Sequence, residues 1–198
     1  MPSINILDKE TAELIAAGEV IERPSSVIKE LVENSIDSGA SHITVEIKNG
    51  GATYMRVTDD GCGMAFDDVP KAFLRHATSK ITEKADLDNI LTLGFRGEAL
   101  ASIAAVSRVE LMTKQKDETY GTLYNIEGSS ETLHDKGGCP DGTTIIIRDL
   151  FYNVPARRKF MKKDVTEANA VSQILQKITL SHPSVSFKFI RENRMEFN

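Results

Sequence analysis

The dipeptide Asn49-Gly50 restricts the fold of this chain more than any other feature of its sequence. It lies between two segments with strand periodicity: residues 43–47 alternate apolar and polar side chains, and residues 53–59 form a second such run. An Asn-Gly pair between two runs of this kind is a strong hairpin signal, because both residues tolerate the positive φ that a tight turn needs. The sequence therefore predicts an antiparallel strand pair early in the chain.

The other predicted elements alternate between helices and strands in a mixed order. Helical periodicity and end signals predict helices at 11–21, 24–38, 66–76, 97–106, 156–161 and 165–180. Further strands are predicted at 108–113, 121–127, 131–134, 143–148 and 185–190. We expect an α+β fold, a two-layer sandwich with helices on one face of a mixed, mostly antiparallel sheet. A doubly wound parallel sheet fits this order less well.

Composition limits the class of protein. A chain of 198 residues with 40% apolar content can bury its own core as one domain, and a net charge of −5 opposes nucleic-acid binding by bulk charge. Cys62 and Cys139 lie far apart without histidine partners, so neither a zinc site nor a disulfide framework is predicted. No signal peptide or bilayer-length apolar run is present, and we expect a cytoplasmic protein with no membrane contact. The last predicted strand, at 194–198, has only begun where the sequence ends. We therefore expect the chain to be a piece of a longer protein.

A line of polar side chains runs along the helix predicted at 24–38. Asn34 lies about 40° and Asp37 about 20° around the helix from Glu30, while apolar residues occupy the opposite side. No cation lies on this line, although opposite charges would stabilise a solvated face at this spacing. Two interpretations stay open: a wet helix surface, or a face that meets a bound cation or phosphate.

Two glycine-bearing loops also have two interpretations each. In DDGCGM, residues 59–64, the glycines let a flat ligand approach the backbone and Asp59 can accept a hydrogen bond from an amine such as that of adenine. A glycine-rich turn with an aspartate cap is the other interpretation. In GFRGEAL, residues 94–100, the first N–H groups of a helix form a phosphate cradle beside Arg96, unless Glu98 merely caps that helix.

The segment ATSK, residues 77–80, opens an irregular stretch that leads to the second loop. Hydroxyls, a lysine and a closing glycine are what a lid over phosphates needs, but an ordinary surface loop has the same composition. The sequence contains neither a Walker A loop nor a Rossmann glycine fingerprint, so those two nucleotide-binding folds are disfavoured.

Four patterns in order, E-x-x-x-N, D-x-G-x-G, G-x-x-G and a Gly-Thr pair at 142–143, resemble the ATPase superfamily shared by gyrase, the ninety-kilodalton heat-shock chaperones, histidine kinases and MutL. Within that superfamily, AAGEVIERPSSVIKELVENSIDSGA, RHATSK, LGFRGEALASI and DLFYNVPARRKF are similar to MutL-type DNA mismatch-repair proteins. This resemblance covers nearly all of residues 4–163.

The resemblance implies a role for individual residues. Glu30 matches the general base that orients and deprotonates the attacking water, and Asn34 matches the ligand of Mg²⁺. Asp59 matches the adenine-binding carboxylate, and Asp37 is expected to support Glu30 or its water shell. The remaining implied contacts to ATP are Gly61, Gly63, Thr78, Ser79, Lys80, Gly94, Phe95, Arg96, Gly97, Glu98, Ala99, Leu100 and Thr143.

The resemblance also implies an activity and partners. Residues 1–198 would be an N-terminal Mg²⁺-dependent ATPase domain, a switch that dimerises with ATP through the arm Met1–Leu7 and recruits MutS and other repair proteins. The following domain, which supplies a lysine to the γ-phosphate, and a C-terminal dimerisation domain would lie outside this chain, so slow hydrolysis is expected. A second hypothesis stays open: a nucleotide-gated DNA-binding or interaction module without significant hydrolysis.

A basic cluster lies in the second half of this acidic chain. Residues 148–163 contain six cations against one acid, namely Arg148, Arg157, Arg158, Lys159, Lys162 and Lys163 against Asp149. A solvated basic helix is one interpretation, and a contact to the DNA backbone is the other, because a local patch can supply DNA affinity. The non-specific DNA binding of the resembled family favours the contact.

Overall fold

The computed structural model describes residues 8–78, 93–94 and 97–198. Its helices are α1 (Lys9–Val20), α2 (Pro24–Asp37), α3 (Val69–Ala72), α4 (Ala99–Val106), α5 (Pro155–Phe160) and α6 (Asp164–Ser181). Its strands are β1 (His42–Lys48), β2 (Tyr54–Asp59), β3 (Arg108–Lys114), β4 (Gly121–Glu127), β5 (Ser130–Gly137), β6 (Gly142–Arg148), β7 (Ser186–Arg191) and β8 (Arg194–Phe197).

The strands form one eight-stranded sheet in the order β5-β4-β3-β6-β2-β1-β7-β8. Every neighbouring pair is antiparallel except β1 and β7, which run parallel. Helices α2, α4 and α6 pack on the strands of this sheet. The predicted α+β class with a mixed, mostly antiparallel sheet is confirmed.

Strand alternation determines which side chains form the core. Val45 of β1 pairs with Val57 of β2, which in turn pairs with Ile145 of β6, so the buried residues of three strands share one face. Buried side chains of α2 complete this layer, including Ile28 and Leu31. Each such side chain stabilises the fold by roughly 1.5–3 kcal/mol through burial. The core therefore holds α2 flat against the centre of the sheet.

The hairpin predicted at Asn49-Gly50 is confirmed. A short turn at Asn49–Gly51 connects β1 to β2, and Asn49 and Gly50 have φ of 51° and 66°. Both residues therefore adopt the left-handed conformation that this dipeptide favours.

The helix predicted at 66–76 is much shorter than expected. A 3₁₀ turn at Phe66–Asp68 leads into α3, which ends at Ala72. The chain then reaches a φ of +61° at His76, which no α-helix accommodates, and the His76 N–H donates to the carbonyl of Gly97 instead. Periodicity alone did not reveal this long-range hydrogen bond.

The described helices include none with the length and apolar character needed to cross a bilayer.

Candidate functional site

Asp59 lies at the end of β2, on the helix-covered face of the sheet. It stands directly opposite Thr143 of β6, and Thr143 stands opposite Thr113 of β3. Three strands therefore bring one carboxylate and two hydroxyl groups together at one end of the core. Asp59 is 8% exposed, which makes it one of the few buried acids among the described residues.

The carboxylate of Asp59 accepts three hydrogen bonds. The Ser35 hydroxyl lies 2.7 Å from Oδ2, and the N–H groups of Gly61 and Thr143 donate to Oδ1 at 3.0 and 3.2 Å. Burial raises the pKa of Asp59, and these three hydrogen bonds oppose that rise. The site thus holds an acceptor whose charge is costly unless a further donor approaches.

Ser35 was missed by the sequence interpretation, which considered only the polar line of α2. It is buried on the same side of the helix as Ile28 and Leu31, and its hydroxyl also lies 3.1 Å from the Leu31 carbonyl. A signal was present, because a polar side chain among the apolar positions of a helix must find a buried partner.

Thr113 was also missed. It is fully buried, and its hydroxyl accepts a hydrogen bond from the Met64 N–H at 3.0 Å and lies 2.9 Å from the Thr143 hydroxyl. The same hydroxyl donates its own hydrogen to the Gly142 carbonyl, whose oxygen lies at 3.0 Å, when its O–H bond points toward that oxygen. Thr113 therefore connects the end of the DDGCGM loop to β6 and places the Thr143 hydroxyl beside Asp59.

Gly142 permits this close approach of β6 to β2. Its φ is +93°, and a Cβ at this position would collide with the carbonyl oxygen of Asp59. A larger residue would force the two strand ends apart. The Gly-Thr pair identified in the sequence is thus a steric requirement of the site.

The two predicted phosphate segments also meet. The His76 N–H donates to the Gly97 carbonyl at 3.0 Å, and His76 Nδ1 lies 2.8 Å from Glu98 Oε1. Gly97 has a φ of +62°, and a Cβ there would lie 2.5 Å from the Ala77 carbonyl oxygen. The start of RHATSK therefore packs on the end of GFRGEAL, directly before α4.

Glu98 does not cap α4, as one interpretation of the sequence held. It is the residue before the first helical turn, but its side chain makes no capping hydrogen bond and pairs with His76 instead. The first N–H groups of α4, from Ala99 and Leu100, therefore gain no partner from the Glu98 carboxylate. This leaves intact the expectation that the loop presents backbone donors.

Asp37 has a position that the sequence did not predict. Its two carboxylate oxygens accept hydrogen bonds from the N–H groups of Leu93 and Gly94, both at 3.1 Å. The last turn of α2 thereby holds the start of the GFRGEAL loop, residues 94–100, which is called the glycine loop below. Asp37 therefore connects α2 to that loop, which is a role that the resemblance did not imply. The implied supporting role beside Glu30 stays a prediction.

Glu30 and Asn34 lie one turn apart on α2 and are both partly exposed. The Lys29 ammonium reaches Glu30 Oε1 at 3.6 Å and Glu33 Oε2 at 2.9 Å, so a cation approaches the polar line from its side. Because Ser35 and Asp37 on this helix contact Asp59 and the glycine loop, α2 joins both halves of the site.

Four predicted contacts, Ser79, Lys80, Phe95 and Arg96, lie outside the described residues. Thr78 and Gly63 are partly buried next to the segments discussed above.

The donor set of α2 fits magnesium. Within the described part of the chain, no three histidine, cysteine or acidic side chains are grouped closely enough to enclose a metal ion. Asn34 nevertheless carries an amide oxygen on the helix face that also carries Glu30. Mg²⁺ typically takes one or two protein oxygens and fills its remaining positions with phosphate oxygens and water. These residues suit that arrangement better than a full protein cage.

The structure divides the predicted basic cluster. Arg148 pairs with Glu110 at 2.6 Å on the sheet, and the Arg157 guanidinium packs against Gly18 of α1. Both are therefore engaged with the protein itself. The exposed cations that remain, called the basic segment below, are Arg158, Lys159, Lys162 and Lys163.

Comparison with known proteins places the chain in a family. The family model described as "Histidine kinase-, DNA gyrase B-, and HSP90-like ATPase" matches residues 21–135. The "DNA mismatch repair protein MutL" of Agathobacter rectalis is 58% identical over 198 residues, covering the whole chain and 31% of that protein. The protein of the same name from Caldanaerobacter subterraneus subsp. tengcongensis is 54% identical over 197 residues, covering 100% of the chain and 33% of the relative. The chain thus spans about a third of these relatives.

Solved structures agree with this placement. The Aquifex aeolicus MutL ATPase domain complexed with ADP has a TM-score of 0.75 and 34% identity, covering 90% of this chain and 63% of that one. The N-terminal domain of a DNA repair protein has a TM-score of 0.78 over 93% of this chain and 54% of the other, and at 24% identity it supports the fold alone. The chain therefore belongs to the histidine kinase-, DNA gyrase B- and HSP90-like ATPase family and, within it, is an ATPase domain of the MutL type.

Proposed function

We propose that this domain binds ATP with the adenine amine against Asp59. The supporting observation is the number of hydrogen bonds that this carboxylate already accepts. An ionised carboxylate offers about four acceptor positions. Ser35, Gly61 and Thr143 occupy three of them, which leaves Oδ2 able to accept one more hydrogen bond. An exocyclic amine supplies that donor and offsets the cost of burying the charge.

The phosphates would extend from this pocket toward the glycine loop. Asp37 anchors the start of the loop, and His76 and Gly97 join its end to the start of the predicted lid. The N-terminus of α4 would then face the phosphates with the N–H groups of its first turn and the positive end of its dipole. The implied contacts Ser79, Lys80, Phe95 and Arg96 would add to this cradle.

We propose that hydrolysis depends on two residues of α2. Glu30 orients a water molecule toward the γ-phosphate and accepts its proton, and Asn34 supplies an amide oxygen to the metal. Bound Mg²⁺ neutralises charge on the phosphates. Phosphoryl transfer requires chiefly positioning and charge stabilisation, and one rigid helix positions both residues. Turnover by these 198 residues alone would be slow, because the resemblance places a further γ-phosphate lysine in the following domain.

We propose further that the whole protein acts in DNA mismatch repair. The names of its relatives support this activity. ATP would drive dimerisation through the N-terminal arm and recruitment of MutS and other repair proteins, in the cytosol or nucleoid. The basic segment would bind the DNA backbone non-specifically, since it concentrates exposed cations on an acidic chain.

The decisive experiment compares three proteins: wild type, Asp59→Asn and Glu30→Ala. Nucleotide binding is measured by calorimetry with and without Mg²⁺, and phosphate release is measured separately. We expect Asp59→Asn to lose ATP binding, and Glu30→Ala to bind ATP but release no phosphate. Equal phosphate release by Glu30→Ala and wild type would refute the assigned base and favour the module that only binds nucleotide.

A further inference from the structure

Glu167 is an acidic residue buried at the start of α6. Its side chain is 2% exposed, and both of its carboxylate oxygens have partners. Oε2 accepts two hydrogen bonds from Arg23, from Nε at 3.1 Å and from Nη2 at 2.9 Å. Oε1 accepts the backbone N–H of Lys162 at 2.9 Å. The carboxylate therefore joins two distant parts of the chain at once.

The first of these parts is the start of α2. Arg23 is the residue directly before the helix, and its carbonyl accepts the N–H groups of Ser26 and Val27. Glu30 follows Arg23 by two helical turns. A displacement of Arg23 therefore moves the first turn of the helix that carries Glu30 and Asn34.

The second part is the end of the basic segment. Lys162 belongs to that segment, and its backbone is held by Glu167 while its own side chain stays exposed. Arg157, in the middle of α5 and directly before the basic segment, packs on Gly18 of α1. The chain around the basic segment is thus held by α1 at Arg157 and by Glu167 of α6 at Lys162, and α6 packs on α2.

We propose that Glu167 is a positioning residue that ties the basic segment to α2, so that a phosphate backbone bound on the segment changes the alignment of Glu30. This inference rests on the ATPase activity and the DNA contact proposed above and adds the route that connects them. Arg23, Glu167 and the Lys162 backbone form that route.

The physical reason to expect such a role is the cost of the pair. Removing the Glu167 carboxylate from water is expensive, and a well-packed apolar pair of similar size often stabilises a fold as well. An ion pair specifies direction, however, because a guanidinium holds one carboxylate oxygen in a fixed geometry. Here the same carboxylate also fixes a backbone N–H, so a shift at Lys162 is transmitted to Arg23.

The test uses the intact protein that contains this chain and the variant Glu167→Gln, which keeps the side-chain shape and one acceptor but loses the charge. Thermal midpoint, ATP affinity, kcat and the ratio of kcat with and without a DNA duplex are measured. We expect ATP affinity to change little, kcat to fall roughly tenfold or more because small misplacements of catalytic groups are costly, and the DNA ratio to approach one.

The matched control is Glu127→Gln, which breaks the 2.8 Å pair between Arg108 and Glu127 on the sheet. That pair joins β3 to β4, whereas α2 packs on β1 and β2, so kcat and the DNA ratio should stay at the wild-type values. A purely structural role for Glu167 would lower the thermal midpoint while leaving kcat and the DNA ratio unchanged, and this result would overturn the proposal.

A second variant guards against misfolding. Arg23→Lys keeps the charge but cannot donate two hydrogen bonds from one rigid plane. In this variant, hydrogen exchange at Ser26 and Val27 should accelerate and should no longer respond to DNA. A wild-type response that persists in Arg23→Lys would refute the coupling. Absence of ATP hydrolysis in the wild-type protein would instead refute the proposed function itself.

Discussion

The Ser35 hydroxyl and Asp59 Oδ2 lie 2.7 Å apart and join the last turn of α2 to the end of β2. This bond crosses from the helix layer to the sheet layer inside the core. It fixes the helix that carries Glu30 relative to the carboxylate expected to bind adenine. Together with the buried apolar side chains of α2, this hydroxyl group therefore sets the position of Glu30 relative to Asp59.

Replacing Ser35 with alanine should weaken both the fold and nucleotide binding. A hydrogen bond to a charged group contributes roughly 1.5–3 kcal/mol, and the alanine leaves the carboxylate short of one donor. Urea unfolding and ATP titration measure the two effects. The control is Ser181→Ala, which removes an exposed hydroxyl at the end of α6. Similar losses in both variants would show that the Ser35–Asp59 bond has no special role.

Asp59→Asn should separate binding from stability. Burial raises the pKa of Asp59 above 3.8, because the folded protein disfavours the ionised carboxylate. The resulting loss in the free energy of unfolding grows as pH rises from 3.8 through the folded-state pKa. An asparagine keeps the acceptor for the Gly61 and Thr143 N–H groups and removes the charge. The variant should thus be at least as stable as wild type near neutral pH, yet fail to bind ATP.

Thermal unfolding as a function of pH checks this prediction. The stability difference between Asp59→Asn and wild type should shift in favour of the variant as pH rises from acid to neutral. The exposed Asp67→Asn serves as a control for the loss of one negative charge. A wild-type protein that is clearly more stable than Asp59→Asn at neutral pH would contradict the expected sign.

The neighbouring Asp60 should show the opposite pH dependence. Desolvation is the largest single influence on the pKa of Asp60 and raises it, but the hydrogen bonds from His42 and the Ser41 N–H together outweigh it and lower this pKa to about 2. Its stabilisation is therefore present above 3.8 and is lost as pH falls toward about 2. Because the Asp60 side chain is 44% exposed, solvent screens its pair with His42. We therefore expect Asp60→Asn to lower the free energy of unfolding at neutral pH by less than about 1 kcal/mol.

Urea unfolding of both proteins at neutral pH and near pH 2 measures this difference. An equal loss at both pH values would contradict the prediction.

The sequence predicted the parts of the fold that depend on local patterns. The alternation in β1 and the turn at Asn49-Gly50 are readable within a few residues. The prediction that the helix continues beyond Ala72 was wrong. There the His76 N–H donates to the Gly97 carbonyl instead of continuing the helical hydrogen bonds.

The same limit applies to the candidate site. Asp59, Gly97 and Thr143 were identified from short motifs, and the structure places Asp59 beside Thr143 and Gly97 beside His76. Ser35 and Asp37 were not given their roles, because their partners lie 24 and 56–57 residues away along the chain. Only the assembled sheet shows which polar residue of α2 faces which loop.

Asp37 should affect phosphate binding more than adenine binding. Asp37→Asn retains one acceptor oxygen and loses one of the two hydrogen bonds to Leu93 and Gly94, which loosens the start of the glycine loop. A lost hydrogen bond to a charged group corresponds to roughly a tenfold effect or more in kcat/KM for ATP. AMP affinity should change little. Glu33→Gln, on the same helix but paired with Lys29, is the control, and equal losses for ATP and AMP would exclude this role.

The basic segment should bind DNA through its charge alone. Each phosphate contact contributes a slope of about −0.9 to the dependence of the logarithm of affinity on the logarithm of salt concentration. Reversing Lys162 and Lys163 to glutamate removes two exposed cations, so the slope should become shallower by up to about two units. The backbone N–H of Lys162 keeps its bond to Glu167 in this variant, which leaves the tether to α2 intact.

Lys188→Glu is the matched control for this charge reversal. Lys188 is exposed on β7, away from the basic segment in sequence, so its reversal lowers the net charge without touching the proposed DNA contact. Its salt slope should equal that of wild type, because counterion release depends on the phosphates actually neutralised rather than on total charge. If Lys162→Glu with Lys163→Glu keeps the wild-type slope, DNA binds elsewhere, and the bond between Glu167 and Lys162 then connects α2 to a surface that DNA does not contact.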